Sequence, residues 1–234
     1  GLICMGMNVH SHPSDRIAAM QMHDATPEPR TIEILGRIKG VFAAKGFDGA
    51  SMQDLARAAG MSAGNFYRYF PSKNAIVEGM VSHDLMQVEG QFAEIMNAPD
   101  LVEAFRRGIR DHIETIPDDE GPLWAEIEAA AARRPEIAEI SGRMQGQVLR
   151  HLVEVFARIA GVTVDEAQQR FGSHASLVFL LIKGVTIQSC GCQPALDPAG
   201  GRAMTELVLR HVDHILNEIA AAAARRPNEP VVSA

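Results

Sequence analysis

Residues 51–73 read Ser51-Met-Gln-Asp54-Leu-Ala-Arg-Ala-Ala-Gly60-Met-Ser62-Ala-Gly-Asn-Phe-Tyr-Arg-Tyr-Phe70-Pro-Ser-Lys73, and this stretch decides the fold. Ser51 followed three residues on by Asp54 is a capping pattern that opens a helix. Met52, Leu55, Ala56 and Ala59 then give that helix a narrow apolar face, and Gly60 stops it. Ser62 caps a second short helix that runs to Phe70, Pro71 breaks it, and Ser72 caps the next. Two short capped helices joined by a glycine turn form a helix-turn-helix pattern, in which the first helix braces and the second enters the major groove. Ala56 and Ala59 are small where the two helices must pack closely, and Gly60 supplies a turn with positive φ.

The second helix carries the chemistry of groove reading. Ala63 and Gly64 at its start let the backbone come close to DNA. Asn65 and Arg68 are side chains able to form bidentate contacts, with adenine and guanine respectively. Tyr67 and Tyr69 carry hydroxyls that can donate to phosphate, aromatic packing being the other role open to each. Phe66 and Phe70, four residues apart, are expected to face the core. Lys73, in the first turn of the next helix, adds its charge to free backbone N–H groups and is expected to clamp phosphate.

The helical period extends along the chain on both sides of this motif. Ile32, Leu35, Ile38 and Phe42 recur at three- and four-residue steps until Gly46. After Ser72, Ile76, Met80, Leu85, Val88, Phe92 and Ile95 form a long stripe. Further amphipathic runs cover Leu101 to Ile116, closed by Pro117 and an acidic turn at 118–120, then Leu123 to about Arg133, and Ile137 to Ile159. Thr163-Val-Asp-Glu166 is a capping box that opens a helix apolar nearly all round between Ala175 and Ile187. Gly191 and Pro194 are expected to end it. After a loop holding Pro198, Gly200 and Gly201, the stripe Met204, Leu207, Val208, Val212, Ile215 and Ile219 makes the last helix. The expectation is an all-α chain of about nine helices, an N-terminal three-helix helix-turn-helix DNA-binding domain followed by a C-terminal helical dimerisation and effector domain. Residues 1–29 read as a mobile tail, 30–75 as the DNA-binding domain, 76–224 as the ligand-binding and dimerisation domain, and 225–234 as a C-terminal tail.

Composition agrees with this division. The chain has 234 residues, 47% of them hydrophobic and 22% charged, which argues against disorder. Its formal net charge is -7, yet residues 30–75 hold seven basic and three acidic side chains, +4, leaving -11 for the rest. A small basic module on an acidic body points to a local anionic partner. Three cysteines form no secreted-type disulfide framework, and no N-terminal basic-then-apolar pattern marks a signal peptide, so a cytoplasmic location is expected. No apolar run reaches the roughly 18–20 residues of a membrane span. A glycine-rich phosphate loop, a nucleophile motif and a convincing metal set are all missing, so neither an enzyme nor a cofactor is expected.

Phe42 to Glu78 resembles the DNA-binding domain of the tetracycline-repressor (TetR) family of bacterial transcription factors. The matching signature is G-F, then S-M-Q-D-L-A-x-x-A-G-M-S-x-G-x-F-Y-x-Y-F-x-S-K. It covers roughly a fifth of the chain and is far more specific than a generic helix-turn-helix. The resemblance implies a DNA-binding transcriptional regulator, a repressor released from a palindromic operator by a small effector as many members are; a helical interaction protein that keeps the fold without specific DNA binding is the alternative. It implies that Ser51 and Lys73 touch phosphate and that Ser62, Ala63, Gly64, Asn65, Tyr67, Arg68 and Tyr69 lie in or beside the groove. Arg68 stands where many relatives have another residue, so base preference does not transfer. The resemblance also implies a homodimer through the last two helices, about 163–190 and 202–220, and an effector cavity in the C-terminal domain.

Met96, His112, Trp124, Glu126, Glu128 and Met144 are the candidate cavity residues. A tryptophan beside carboxylates suits a cationic ligand through cation–π and ion-pair contacts. A tryptophan anchoring a helix core, with both glutamates in water, is the alternative. His211 and His214, three apart on one helix, and Cys190 and Cys192 have the spacing of metal or redox pairs, but a dimer-seam role and incidental thiols are expected instead.

Overall fold

The periodic stripes become nine α-helices, with no strand among the described residues, 28–117, 119–188 and 198–224 of a computed structural model, the side chains of 198, 199, 223 and 224 excepted. In chain order they are α1 (Pro29–Gly49), α2 (Met52–Ala58), α3 (Ala63–Tyr69), α4 (Lys73–Asn97) and α5 (Leu101–Glu114). Then follow α6 (Glu120–Ala131), α7 (Pro135–Ala160), α8 (Val164–Gln188) and α9 (Pro198–Ala224). The expected caps form. The hydroxyls of Ser51, Ser62, Ser72 and Thr163 accept from the main-chain N–H of Asp54, Asn65, Ala75 and Glu166. Asp54 closes the box at α2 by accepting from the Ser51 N–H at 3.2 Å.

Prolines set several helix starts. Pro29 and Pro135 sit in the first turns of α1 and α7, where a missing N–H leaves no helical bond unmade. Pro198 plays the same part at α9, so Pro198, Gly200 and Gly201 open that helix rather than form the expected loop. α5 stops at Glu114, two residues before the expected Ile116, and Glu120 is the first residue of α6 rather than part of the preceding turn.

Two apolar cores hold the chain together. The first joins Ile34, Leu35, Ile38 and Phe42 of α1 to Leu55, Ala56, Phe66 and Phe70. It continues past residue 75 into Ile76, Val77, Met80 and Val81 of α4, and takes in Leu123, Ile127 and Ala130 of α6 and Ile137 and Ile140 of α7. The second gathers Phe105 and Ile109 of α5, Leu152 and Phe156 of α7, Phe171 and Val178 of α8, and Val212 and Ile219 of α9. α4 and α7 are long enough to enter both cores, so the helix-turn-helix module shares its interior with the helices that carry the cavity.

α8 is long and apolar enough, by length and composition, to cross a membrane, although Lys183 interrupts its apolar run as the sequence indicated. Its apolar character has a local cause. One face packs in the second core through Phe171, Ala175 and Val178, while Leu177 is 47% and Leu180 61% exposed. Leu207 of α9 is likewise exposed. Residues 1–27 and 225–234, Cys4, Cys190 and Cys192 and the expected helix end at Gly191 and Pro194 lie outside the described residues.

Candidate DNA-reading helix and ligand cavity

α3 divides sharply between inside and outside. Phe66 is fully buried, and Phe70, just beyond the helix, is buried beside it with ring centroids 5.7 Å apart. Every other residue from Ser62 to Tyr69 is exposed. Phe66 and Phe70 thus fix the rotation of the helix and aim Gly64, Asn65, Tyr67 and Arg68 outward. Tyr67 and Tyr69, the chain's two tyrosines, are both exposed. Among the described residues, no hydrogen bond or ion pair engages the side chains of Asn65, Tyr67 or Arg68. Gly60 has φ +68°, as the turn between α2 and α3 requires.

Lys73 also has partners within the chain. Its ammonium donates to the Phe47 carbonyl at 2.6 Å and the Asp48 carbonyl at 3.4 Å, and lies 5.0 Å from the Phe47 ring centroid. The reason is the kink at Gly46, φ +71°, which releases the following carbonyls and amides from the α1 ladder. The opposite side of this turn is held from α6, where Glu126 accepts from the Phe47 N–H at 3.3 Å. A β-carbon on Gly46 would come within 2.9 Å of Glu126 Oε2. Glu126 is therefore a tie between α6 and the helix-turn-helix module and does not line the cavity. Arg134 and Arg133 add ion pairs to Asp48 across the same seam. Ser51 spends its hydroxyl on Asp54.

A cavity of about 440 Å³ lies between α4, α5, α6, α7 and α8, with Lys39 of α1 reaching its edge. His112, Trp124, Glu128 and Met144 of the expected residues line it, whereas Met96 packs against the second core outside it. Its wall is mostly apolar and aromatic, with Phe92, Phe105, Phe179, Val148 and Leu152. Two polar clusters face it. In one, Glu120 pairs with Lys39 at 3.3 Å and accepts from the Trp124 indole N–H at 2.9 Å, while Asp84 stands nearby with Oδ2 buried and lacking a hydrogen-bond partner. Burial pushes the Asp84 carboxyl up to about 7; Lys39 opposes this and the Glu120 carboxyl adds to it. Burial likewise holds the His112 imidazole below its ordinary value. In the other cluster, Glu128 pairs with Lys183 at 2.9 Å and accepts from the Ser141 hydroxyl at 2.9 Å.

Lys39, Asp84, Glu120 and Lys183 are cavity residues that sequence reasoning missed. Lys39 sits in the basic module and Glu120 in an apparent acidic turn, so neither advertised a buried partner 81 residues away. A signal was present in α6, where Glu120, Trp124 and Glu128 recur at four-residue steps on one face. Among the described residues no group of three or more metal-binding side chains is assembled. His211 Nδ1 lies 2.8 Å from the Leu207 carbonyl, and His214 pairs with Glu218 at 3.5 Å.

The family model for bacterial regulatory proteins of the tetR family matches residues 34–80. The chain is 42% identical over 55 residues to the uncharacterized HTH-type transcriptional regulator YvdT of Bacillus subtilis, covering 22% of this chain and 28% of that one. It is 31% identical over 121 residues to the HTH-type transcriptional regulator EthR of Mycolicibacterium smegmatis, covering 50% and 55%. The chain thus spans about half or less of the length of the curated relatives it matches. Among solved structures, Salmonella enterica GusR superposes with a TM-score of 0.63 over 83% of this chain and 98% of that one, at 22% identity. SCO4454, a TetR-family transcriptional regulator from Streptomyces coelicolor, does so with a TM-score of 0.62 over 82% and 96%, at 18% identity. At these identities the likeness concerns the fold.

Proposed function

We propose that the chain, whose residues 34–80 match the family model for bacterial regulatory proteins of the tetR family, is a sequence-specific DNA-binding transcriptional regulator, a repressor released from a palindromic operator by a small effector. The observation that carries this reading is α3, a seven-residue helix anchored by Phe66 with Asn65, Tyr67 and Arg68 exposed and uncommitted. Such a helix has little structural reason to leave two tyrosines and an arginine exposed, and good reason if it enters a groove. Ser51 and Ser62 stand at the N-termini of α2 and α3, where main-chain N–H groups also suit phosphate.

Dimerisation completes the reading. Leu177 and Leu180 on α8 and Leu207 on α9 leave an apolar stripe uncovered within one chain, and a second copy related by a two-fold axis would cover it as a four-helix bundle. The two copies of α3 would then read half-sites about one DNA turn apart. The cavity is the natural effector site, and α6 is the natural relay. One face of α6 carries Glu120, Trp124 and Glu128 to the cavity, while Glu126 grips the last turn of α1. An effector that prefers one position of α6 and α4 shifts the population between two placements of α3. We assign the protein to the cytoplasm and give it no catalytic role.

The test is fluorescence anisotropy against DNA fragments from upstream of its own gene and its neighbours, titrated with salt and random competitor. Tight binding to one fragment is expected, with Arg68→Ala weakening it by about 1–3 kcal/mol and relaxing one base position. Uniform weak binding to all fragments, unaltered by Arg68→Ala, would remove the reading.

A further inference from the structure

We propose that the cavity takes an amphipathic monocation whose charged head sits against Asp84, Glu120 and the Trp124 ring, in competition with the Lys39 ammonium. This rests on the reading of the cavity as an effector site and names the class of effector. The argument is one of charge and shape. Among the described residues lining the cavity, three carboxyl groups, Asp84, Glu120 and Glu128, meet two ammonium groups, Lys39 and Lys183. Lys183 is matched to Glu128, which also holds the Ser141 hydroxyl. Lys39 is matched to Glu120. Asp84 is the carboxyl with no ammonium matched to it: its buried Oδ2 has no donor, and its carboxyl lies against that of Glu120, with which it shares a hydrogen bond when protonated.

An unpaired buried carboxyl is costly when ionised, and it avoids that cost by holding a proton. A ligand cation removes the same cost by taking the proton's place, and the proton leaves to solvent. A neutral ligand offers no such exchange, and an anion would find both ammonium groups, Lys39 and Lys183, already paired with carboxylates. Trp124 is oriented for this role, since its indole N–H is tied to Glu120 and its ring stays beside the acids. The remaining wall, with Phe92, Phe105, Phe179 and Val148, accommodates an apolar or aromatic body. Lys39 gives the site its consequence. It belongs to α1 of the helix-turn-helix module, so a ligand that displaces it from Glu120 removes a tie between that module and α6.

The experiment uses three probes with one body and different heads: 4,4-diphenylbutylammonium, 4,4-diphenylbutanol and 4,4-diphenylbutanoate. Binding is followed by the fluorescence of Trp124, the chain's single tryptophan. The ammonium is expected to bind at least tenfold more tightly than the alcohol, with the carboxylate weakest. Asp84→Asn should bring the ammonium down to the level of the alcohol. Lys39→Met, a second variant with the opposite expectation, should tighten the ammonium about tenfold by removing its competitor. Equal binding of ammonium and alcohol, a preference for the carboxylate, no response to the ammonium, or a preference that survives both substitutions unchanged would overturn the proposal. The same preparations are assayed for DNA binding. An ammonium preference with no specific DNA binding would support the cavity assignment while removing the regulator reading.

Discussion

Gly64→Ala separates stability from DNA recognition at one position. Gly64 is the second residue of α3 and is exposed, and a β-carbon built on it meets nothing within 4 Å. Its φ is not positive, since the positive-φ residues are Gly46, Gly60 and Gly161. The protein alone therefore has no use for a glycine here. Alanine should stabilise the helix by about 0.5–1 kcal/mol, toward the lower end because the site is in the first turn. For a chain of this size that raises Tm by about 1–4 °C. If α3 enters the groove by its N-terminal end, the added methyl meets DNA backbone. Affinity for the specific fragment should then fall about tenfold, or about 1.4 kcal/mol. Gly142→Ala, exposed in the middle of α7 with open space around it, is the control. It should raise Tm similarly and leave DNA binding unchanged. The assays are thermal unfolding by circular dichroism and anisotropy with labelled DNA. A Gly64→Ala protein that is more stable and binds DNA as tightly as the parent would refute the placement of α3, and one that is less stable would refute the local geometry.

Asp84 gives a pH dependence of defined sign. The groups around it are Lys39 of α1 and Glu120 of α6, with His83 beside it on α4 and His112 of α5 on the same cavity. Its folded value is raised to about 7 from 3.8, so the stability tied to its proton is full below pH 4 and is lost as pH rises through 7. Asp84→Asn should remove that loss and be more stable than the parent at pH 8 by about 1 kcal/mol or more, read from urea unfolding at pH 5 and pH 8. An unchanged pH profile would show that the carboxyl ionises freely. Leu180→Glu should convert a dimer to a monomer by light scattering while leaving the helical content intact, because the side chain it replaces is exposed within one chain; a monomeric parent would end the dimer proposal. Lys73→Met should lower stability by about 1–2 kcal/mol through the lost bond to the Phe47 carbonyl. It should leave the salt slope of DNA binding unaltered, and a slope reduced by about one would restore Lys73 to the phosphate contacts.

Much of the fold was legible because it depends on local rules. Ser51, Ser62, Ser72 and Thr163 sit at helix starts where their hydroxyls meet orphan N–H groups, and a few neighbouring residues suffice to predict that. Gly60 had to turn with positive φ, and Phe66 had to point inward once the helical period was set. The exposed face of α3 followed from the same period. At Pro198 the local rule was misjudged, since proline and two glycines read as a loop yet start a helix.

Tertiary structure decided the partners. Glu126 looked like a cavity carboxylate and instead holds Phe47, because the kink at Gly46 leaves an amide for it to accept from. Lys73 holds a carbonyl on the other side of the same turn, a partner that its place in the first turn of α4 did not announce. Lys39 and Asp84, 45 residues apart in number, belong to one cavity because α1, α4 and α6 converge there. The sequence by itself determined the serine and threonine caps, which faces are apolar and which side of α3 is left exposed, since these arise from interactions over three or four residues. Only the tertiary structure decided which charges meet, because ion pairs form between distant segments and a charged side chain carries no local sign of the partner across the core.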